Sequence, residues 1–428
     1  MSIDVALSYG VDQLSITLPE ELDISVIRKP AMPGISESST ALSTAFEDPV
    51  CSPSLNELAM SANKVCILIC DITRPVPNGI ILPSLLQNLL SAGIDQKNIT
   101  IVVATGLHRP NEGNELLELI GNQWVYENFD IKNHFARDDD CHTFVGTTSL
   151  GTNIRLDKRF VSADLRIVVG LVEPHFMAGW SGGRKLIAPG IAHVDTITTL
   201  HNSNFIEAPG CTSCNLENNL LHEEQLEIVN MIGGAYAINV VIDEMRVISL
   251  INFGEIVRSH LKAVDFVSKY AGVKVKNRFP TVITSAAGYP LDKTYYQTIK
   301  GIVAPLDILE PGGNLIIVSA CSEGMGSKEF IESQRRLIIN GPKKFLEQLH
   351  LKKHASIDEW QTEMLLKALR IGNIWLYTSG LSEEEHGLTG ILRVTSLNDT
   401  IKRSLATAHS NRIAIIPEGP YVVPICSS

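Results

Sequence analysis

Short apolar runs alternate with polar loops and helix-like segments along this chain, and this alternation constrains the fold more than any other feature. Residues 64–70, 98–104 and 164–170 are apolar runs of strand length, and each leads into a loop that contains Pro or Gly. Residues 79–92 carry apolar side chains at helical spacing. Strands that alternate with helices form βαβ units, so the sequence predicts an α/β fold with a mostly parallel sheet.

A second alternating region follows an amphipathic helix at residues 254–270 and a linker at residues 273–280. Its predicted strands are 281–285, 313–320, 374–378 and 412–417. The length of 428 residues also exceeds what one ordinary core accommodates. We therefore expect two domains, each with a mostly parallel sheet flanked by helices, and a boundary near residue 275.

Composition and charge exclude several classes of protein. The formal net charge of −11 argues against a uniformly basic nucleic-acid surface. No uncharged apolar stretch is long enough to span a membrane, and the N-terminus lacks the pattern of a secretion signal. The eight cysteines are sparse and irregularly spaced, and Cys211 and Cys214 are interpreted as two free loop thiols. We expect a cytoplasmic protein.

Side chains capable of chemistry follow four of the predicted strands at their carboxyl ends. They are Asp71, Thr73 and Arg74, then His108 and Arg109, then the segment from His175 to Lys185, then Tyr295, Tyr296 and Lys300. Ligands of open α/β sheets bind at this edge. Because the last set falls in the second predicted domain, the pattern predicts an active site in a cleft between the domains.

Individual residues in these loops indicate particular chemistry, and each has a plainer alternative. Ser181-Gly-Gly-Arg-Lys185 is a glycine turn that can present backbone N–H groups to an anion, or an ordinary turn with an exposed lysine. His108, His175 and His201 suit acid–base chemistry or metal binding, although most histidines do neither.

Charged and aromatic side chains complete the candidate site. Arg74 and Lys300 can bind a carboxylate or can be solvated charges, and Trp360 can line a pocket or pack in a core.

Several segments, taken together and in order, make the chain resemble the nickel-pincer lactate racemase family over residues 64–421. They are Asp71-Ile-Thr-Arg-Pro75, Gly106-Leu-His-Arg109, Glu173-Pro-His175, Gly179-Trp-Ser-Gly-Gly-Arg-Lys185, Pro189-Gly-Ile-Ala192, His201-Asn202, Gly288-Tyr-Pro-Leu-Asp292, Tyr296-Gln-Thr-Ile-Lys300 and Pro417-Glu-Gly-Pro-Tyr421. Trp180, the Leu220-Leu221-His222 stretch and Tyr295 depart from the family pattern, and such enzymes act on lactate or on larger or more polar 2-hydroxyacids, so the resemblance leaves the choice of hydroxyacid open.

The resemblance implies a nickel-pincer nucleotide, which is nickel pyridinium-3,5-bisthiocarboxylic acid mononucleotide, attached covalently to Lys185. It implies His201 as the nickel ligand and His108 and His175 as the catalytic acid and base. Other implied cofactor-binding residues are Asp71, Thr73, Gly182 and Gly183, and the implied substrate-binding residues are Arg74, Lys300, Tyr296, Gln297 and Trp360.

The family organisation implies a domain division as well. Residues 1–272 plus 411–428 would form an N-terminal cofactor-binding catalytic domain, which the last strand rejoins, and residues 277–408 a C-terminal domain that closes over the substrate. Enzymes that make the cofactor are the implied partners, and a homodimer is possible.

The implied activity is a racemase or epimerase that inverts C2 of a 2-hydroxyacid, either lactate or a larger one. Hydride transfer suits this inversion because the C2 proton is only weakly acidic, and a cofactor can take on that redox step. Two alternatives remain at this point. A non-catalytic nucleotide- or anion-binding sensor would not need the pair His108 and His175. An NAD(P)-dependent dehydrogenase would need the GxGxxG fingerprint, which is missing after the first strand.

Overall fold

The computed structural model describes residues 2–243 and 245–427, so Met1, Glu244 and Ser428 lie outside the described residues. The strands are β1 (Ser2–Tyr9), β2 (Asp12–Pro19), β3 (Asp23–Val26), β4 (Val65–Cys70), β5 (Ile99–Ala104), β6 (Asp130–Asn133), β7 (His142–Thr147), β8 (Asn153–Asp157), β9 (Leu165–Leu171), β10 (Pro174–His175), β11 (Gly179–Trp180), β12 (Tyr236–Ile242), β13 (Ile248–Glu255), β14 (Gly272–Val275), β15 (Phe279–Ser285), β16 (Leu309–Val318), β17 (Asn373–Tyr377), β18 (Leu392–Val394), β19 (Arg412–Ile416) and β20 (Val423–Cys426). The helices are α1 (Ser38–Glu47), α2 (Leu55–Met60), α3 (Asn78–Ser91), α4 (Gly113–Ile120), α5 (Gln123–Asn128), α6 (Lys158–Val161), α7 (Val194–Leu200), α8 (Ser203–Ile206), α9 (Leu220–Met231), α10 (Ile256–Ala271), α11 (Tyr295–Val303), α12 (Lys328–His350), α13 (Glu359–Ile371), α14 (Glu383–Leu388) and α15 (Leu397–Ala408).

The chain divides into two compact units. The first unit contains Ala31–Leu200 and Pro209–Lys269. The second unit contains Met1–Pro30, His201–Ala208 and Tyr270–Ser428. The change at Lys269 to Tyr270 lies close to the predicted boundary near residue 275.

The first unit is built on a six-stranded sheet of order β13-β12-β9-β4-β5-β6. All neighbouring strands are parallel except β12 and β13, which form an antiparallel pair. Every residue of β4 is buried, which requires cover on both faces of the strand and explains its uninterrupted apolar sequence. Because β9, β4 and β5 are adjacent and parallel, the loops that follow them meet at one edge of the sheet.

The second unit is built on a fully parallel six-stranded sheet of order β18-β17-β16-β15-β19-β3. The hairpin of β1 and β2 packs on this sheet, and Leu7 and Leu18 of the hairpin share one apolar cluster with Ile283, Ile316 and Ile413. The predicted fold class, two mostly parallel α/β sheets flanked by helices, is confirmed.

The predicted division of the chain is wrong in two places. The last long strand, β19, lies between β15 and β3 of the second sheet, so residues 411–428 do not rejoin the first unit. Residues 1–30 also belong to the second unit, because β3 forms the edge of that sheet and the β1–β2 hairpin covers it.

A shorter prediction also changes. Residues 273–280, predicted as a linker, begin with β14, which pairs in parallel with β20.

Candidate active site

The loops after β4, β5 and β9 bring together the candidate residues of the first unit. Asp71 directly follows β4, whose Cys70 pairs with Ala104 at the end of β5. His108 lies in the loop after β5, and His175 lies in the loop after β9, where Pro174 and His175 pair with Trp180 and Gly179.

Asp71 fixes the ring of His108. The Nδ1–H of His108 donates to Oδ2 of the buried Asp71 at 2.5 Å, while the imidazole side chain is 60% exposed. Thr73 donates to the other carboxylate oxygen through its hydroxyl at 2.5 Å and its backbone N–H at 3.1 Å. Because Nδ1 carries the proton, the basic nitrogen of neutral His108 is Nε2.

The pKa of the Asp71 carboxyl lies below its usual range. Burial raises this pKa, but the hydrogen bond and charge of His108 and the hydroxyl of Thr73 lower it more. Asp71 therefore stays ionised and stabilises a positive charge on His108. The expected contact of Asp71 and Thr73 with a nucleotide remains a prediction.

His175 has the opposite tautomer. Its Nδ1 accepts backbone N–H groups from Met177 at 3.3 Å and Ala178 at 3.1 Å. A nitrogen that accepts N–H groups carries no proton, so neutral His175 holds its proton on Nε2. In the neutral forms, Nε2 of His108 therefore carries a lone pair that can take a proton, whereas Nε2 of His175 carries an N–H that can donate a hydrogen bond.

Arg74 forms an ion pair with Glu173, and both side chains are about a quarter exposed. Burial lowers the pKa of Arg74, but the carboxylate of Glu173 outweighs that effect, so the pKa is raised and the guanidinium stays charged. Sequence reasoning assigned no role to Glu173. Its place after the same strand as His175 was the available signal.

Lys185 lies on a turn whose backbone is held tightly. The turn begins at Gly182 (φ 78°) and Gly183 (φ 47°) and continues as a short 3-10 helix over Gly183–Leu186. A Cβ on Gly182 would stand 2.8 Å from Cγ2 of Val172 and 3.0 Å from the carbonyl oxygen of Leu171. The positive φ of both residues favours glycine, and the close contacts at Gly182 add to this preference. The backbone N–H of the half-buried Lys185 donates to the carbonyl oxygen of Gly182 at 3.0 Å, which holds the turn closed.

The buried guanidinium of Arg184 packs against this turn. Arg184 is almost completely buried, and its guanidinium donates to the carbonyl oxygen of Ala178 at 3.0 Å. Its Nη1 lies 3.2 Å from Nε2 of His260, which in turn donates to the carbonyl oxygen of Ser181 at 2.7 Å. Burial lowers the pKa of Arg184 to about 9. Neither Arg184 nor His260 was singled out from the sequence.

The second unit gathers the remaining candidates on α11 and α13. The indole N–H of Trp360 donates to the hydroxyl of Tyr296 at 3.3 Å, and the amide of Gln361 donates to the carbonyl oxygen of Tyr296 at 2.7 Å. The ring of His201 lies 4.8 Å from that of Trp360. Burial raises the pKa of Tyr296, so its hydroxyl stays protonated.

Gln297 and Lys300 lie on α11 beside Tyr296, and both are half-buried. Oε1 of Gln297 is a buried acceptor without a hydrogen-bond donor among the described residues. This oxygen can accept a hydrogen bond from a hydroxyl of a bound ligand. Of the predicted site residues, the structure therefore groups Asp71, Thr73, Arg74, His108, His175, Gly182, Gly183 and Lys185 in the first unit, and His201, Tyr296, Gln297, Lys300 and Trp360 in the second.

Cys211 and Cys214 are not joined in a disulfide, and Cys211 donates to the side-chain oxygen of Asn219 at 3.3 Å. Burial raises the pKa of Cys214 to about 12, so its thiol is protonated. Among residues 2–243 and 245–427 no group of three or more His, Cys, Asp or Glu side chains is arranged to hold a metal ion. Within the same residues no helix has the length and apolar character needed to cross a bilayer.

Two family models match successive parts of the chain. The family model described as the lactate racemase N-terminal domain matches residues 9–213, and the model of the C-terminal domain matches residues 275–424. A lactate racemase from Thermoanaerobacterium thermosaccharolyticum is 31% identical over 98% of this chain and 99% of that protein. A lactate racemase from Lactiplantibacillus plantarum is 31% identical over 91% of each protein.

Solved structures show the same likeness. The lactate racemase apoprotein from Thermoanaerobacterium thermosaccharolyticum superposes with a TM-score of 0.92 at 30% identity, and the match covers 99% of this chain and 100% of that one. A protein from Thermotoga maritima shares the fold alone, with a TM-score of 0.65 at 17% identity over 86% of this chain and 96% of that one.

These likenesses define an isomerase that works as a racemase. The resemblance found in the motifs is thereby confirmed. The chain belongs to the lactate racemase family.

Proposed function

We propose that this protein inverts C2 of a 2-hydroxyacid, lactate or a larger relative, with the help of a nickel-pincer nucleotide attached to Lys185. The proposal is supported by two relatives named lactate racemase that match nearly the whole chain. The observation that carries it is the hydrogen bond between Asp71 and Nδ1 of His108, which leaves Nε2 of His108 as a base. Inversion needs one group that takes the hydroxyl proton and another that returns a proton, and His175, which follows β9 of the same parallel sheet, is the candidate for the second.

In one direction, Nε2 of His108 takes the proton of the substrate hydroxyl, and the resulting imidazolium is stabilised by the ionised Asp71. Loss of the hydroxyl proton together with the C2 hydride would give a planar 2-oxoacid. Return of both on the opposite face would need a proton from Nε2 of the imidazolium form of His175, in which Nδ1 carries a proton of its own in place of the N–H groups of Met177 and Ala178. The reverse reaction exchanges the two roles. Arg74 and Lys300 provide positive charge for the substrate carboxylate, and Glu173 keeps Arg74 oriented until the substrate binds.

The residues present fit the proposed cofactor. Lys185 offers an amine on a turn that its glycines and the buried Arg184 hold in place. His201 offers one imidazole for nickel, and Oε1 of Gln297 offers an acceptor without a donor among the described residues. When bound, the nickel-pincer nucleotide supplies a centre that takes a hydride from C2 of the substrate and returns it.

The first test is a measurement of mass. Protein produced together with cofactor-making enzymes should carry a covalent mass increment on Lys185 and bound nickel, and Lys185→Arg, which keeps the charge, should carry neither. A panel of lactate, malate, aromatic 2-hydroxyacids and aldonic acids with chiral product analysis then identifies the substrate. Full racemase activity of Lys185→Arg would overturn the proposal of a tethered cofactor.

A second test separates catalysis from simple binding. His108→Ala and His175→Ala should lower kcat by roughly 10²–10⁴-fold with little change in substrate affinity, because each ring moves a proton rather than holding the ligand. Equal losses of rate and affinity would favour a binding protein instead.

A further inference from the structure

The short segment that carries His201 belongs to a different unit from the residues before and after it. Residues His201–Ala208 belong to the second unit, whereas Leu200 before them and Pro209 after them belong to the first. The helix α8 occupies most of the segment and is capped by Asn202, whose side-chain oxygen accepts the N–H of Asn204 at 3.0 Å. Eight residues cannot build a core, so side-chain contacts must hold this segment in the second unit.

One face of α13 supplies three of these contacts, and outside that helix the side-chain amide of Asn202 donates to the carbonyl oxygen of Lys353 at 2.8 Å. The hydroxyl of Ser203 donates to Oε1 of Glu363 at 2.6 Å. Further along the same helix, the ammonium of Lys367 donates to the carbonyl oxygen of Ile206, and Arg370 pairs with Glu207 at 2.8 Å. Positions 363, 367 and 370 are spaced four and three residues apart, which places them on one side of the helix.

The contact between Ser203 and Glu363 is the buried one. Ser203 is 3% exposed and Glu363 1%, whereas the side chains of Arg370 and Glu207 are 42% and 19% exposed. Oγ of Ser203 also lies 3.0 Å from Nδ1 of His350, which can donate to it. Solvent screens the exposed ion pair, so the buried hydrogen bond contributes more to holding the segment.

We propose that Ser203 and Glu363 are positioning residues for the metal: they fix the segment of His201 on α13 so that its imidazole is held ready as the nickel ligand. This inference rests on the proposed function, because His201 has that role only if nickel binds. Residues that orient a ligand commonly change metal affinity about 10–100-fold when they are lost. A ring held beside Trp360 by a fixed backbone also loses less conformational entropy when it binds the metal.

The experiment compares nickel retention among cofactor-loaded variants. Ser203→Ala and Glu363→Leu remove the buried hydrogen bond, and Glu363→Gln keeps an acceptor at the same position. The matched control is Glu359→Leu: Glu359 is an equally buried acid on α13, but it pairs with Arg336 at 2.9 Å and Lys352 at 2.6 Å rather than with the His201 segment. For each protein one measures the mass increment on Lys185, the thermal midpoint, and the rate of nickel loss to a chelator.

We expect every variant to keep the mass increment on Lys185. Ser203→Ala and Glu363→Leu should lose nickel about 10–100-fold faster than the wild type, and Glu363→Gln should stay close to it. Glu359→Leu should lower the thermal midpoint without faster nickel loss. Unchanged retention in Ser203→Ala and Glu363→Leu, or equal loss in the control, would overturn the inference alone, whereas a wild-type protein without the increment would overturn the proposed function as well.

Discussion

Hydrogen bonds at Nδ1 decide which tautomer the neutral rings of His108 and His175 adopt. The ionised carboxylate of Asp71 binds the protonated Nδ1 of His108, and two backbone N–H groups occupy Nδ1 of His175. Chemically identical rings therefore present different forms of Nε2. Their positions after β5 and β9 could be predicted from the sequence, but their tautomers could not, because these depend on partners that are distant in sequence or formed by local backbone geometry.

Asp71→Asn should separate orientation from charge. The amide can still bind Nδ1 of His108, but it does not stabilise an imidazolium, so kcat of the cofactor-loaded enzyme should fall by roughly 10²–10⁴-fold with KM nearly unchanged. Glu115→Gln is the control, since Glu115 pairs with the exposed Arg109 in the same region at 2.5 Å. An equal fall in both variants would mean that Asp71 acts through the loop and not through His108.

Gly182→Ala tests whether the turn before Lys185 needs glycine. The substitution places a Cβ 2.8 Å from Val172 at a φ of 78°, so we expect a loss of about 1–3 kcal/mol in the free energy of unfolding, measured in urea. Gly387→Ala is the control, because a Cβ there, in α14, meets no atom within 4 Å. Its stability should be unchanged or slightly higher, given the better helix propensity of Ala. A Gly182→Ala protein as stable as Gly387→Ala would show that the turn can relax.

Helices and strands were predictable where burial leaves either a continuous apolar run of strand length or apolar side chains at helical spacing. The fully buried β4 was predicted at 64–70 and is found at Val65–Cys70, and the helix predicted at 79–92 is α3, Asn78–Ser91. The β12–β13 pair was not predicted, because its apolar residues are not separated by a clear turn signal. The place of β19 in the second sheet follows from pairing with β15 and β3, and no local pattern specifies a distant partner.

His222, on the helix α9, should make the free energy of unfolding depend on pH. Burial, with a further effect of the Arg184 charge, lowers the pKa of His222 to about 3, compared with about 6.5 in an unfolded chain. Between these values the unfolded state binds a proton that the folded state does not, so stability falls as the pH falls through this window. One such group changes the free energy of unfolding by about 1.4 kcal/mol per pH unit within this window.

His222→Leu should remove this contribution. Urea unfolding between pH 6 and pH 4 should show a stability loss about 2–3 kcal/mol smaller than that of the wild type. Asn230→Ala, an exposed substitution on the same helix without a titratable group, should keep the wild-type slope. Parallel pH profiles for His222→Leu and the wild type would contradict the cause assigned to the shift.

For the chain as a whole, the order of segments along the sequence differs from their grouping in space. The first thirty residues, the eight residues that begin at His201, and everything after Lys269 form one unit. The sequence indicated two α/β domains because each sheet has its own set of apolar runs. It did not indicate where the first strands belong. The β1–β2 hairpin, which ends at Pro19, buries its apolar face against strands that begin only at Phe279, and no local pattern specifies so distant a partner.

Leu7→Ala tests this grouping directly. Leu7 is fully buried in the cluster that β1 and β2 form with the second sheet, so the substitution should cost about 2–5 kcal/mol and loosen that sheet. Amide hydrogen exchange should accelerate in β15, β16 and β19, while β4, β5 and β9 of the first unit keep the protection of the wild type. Leu68→Ala, a fully buried change in β4, is the matched control and should give the reverse pattern. Faster exchange in the strands of the first unit after Leu7→Ala would contradict the grouping, because a cavity most weakens the core in which it lies.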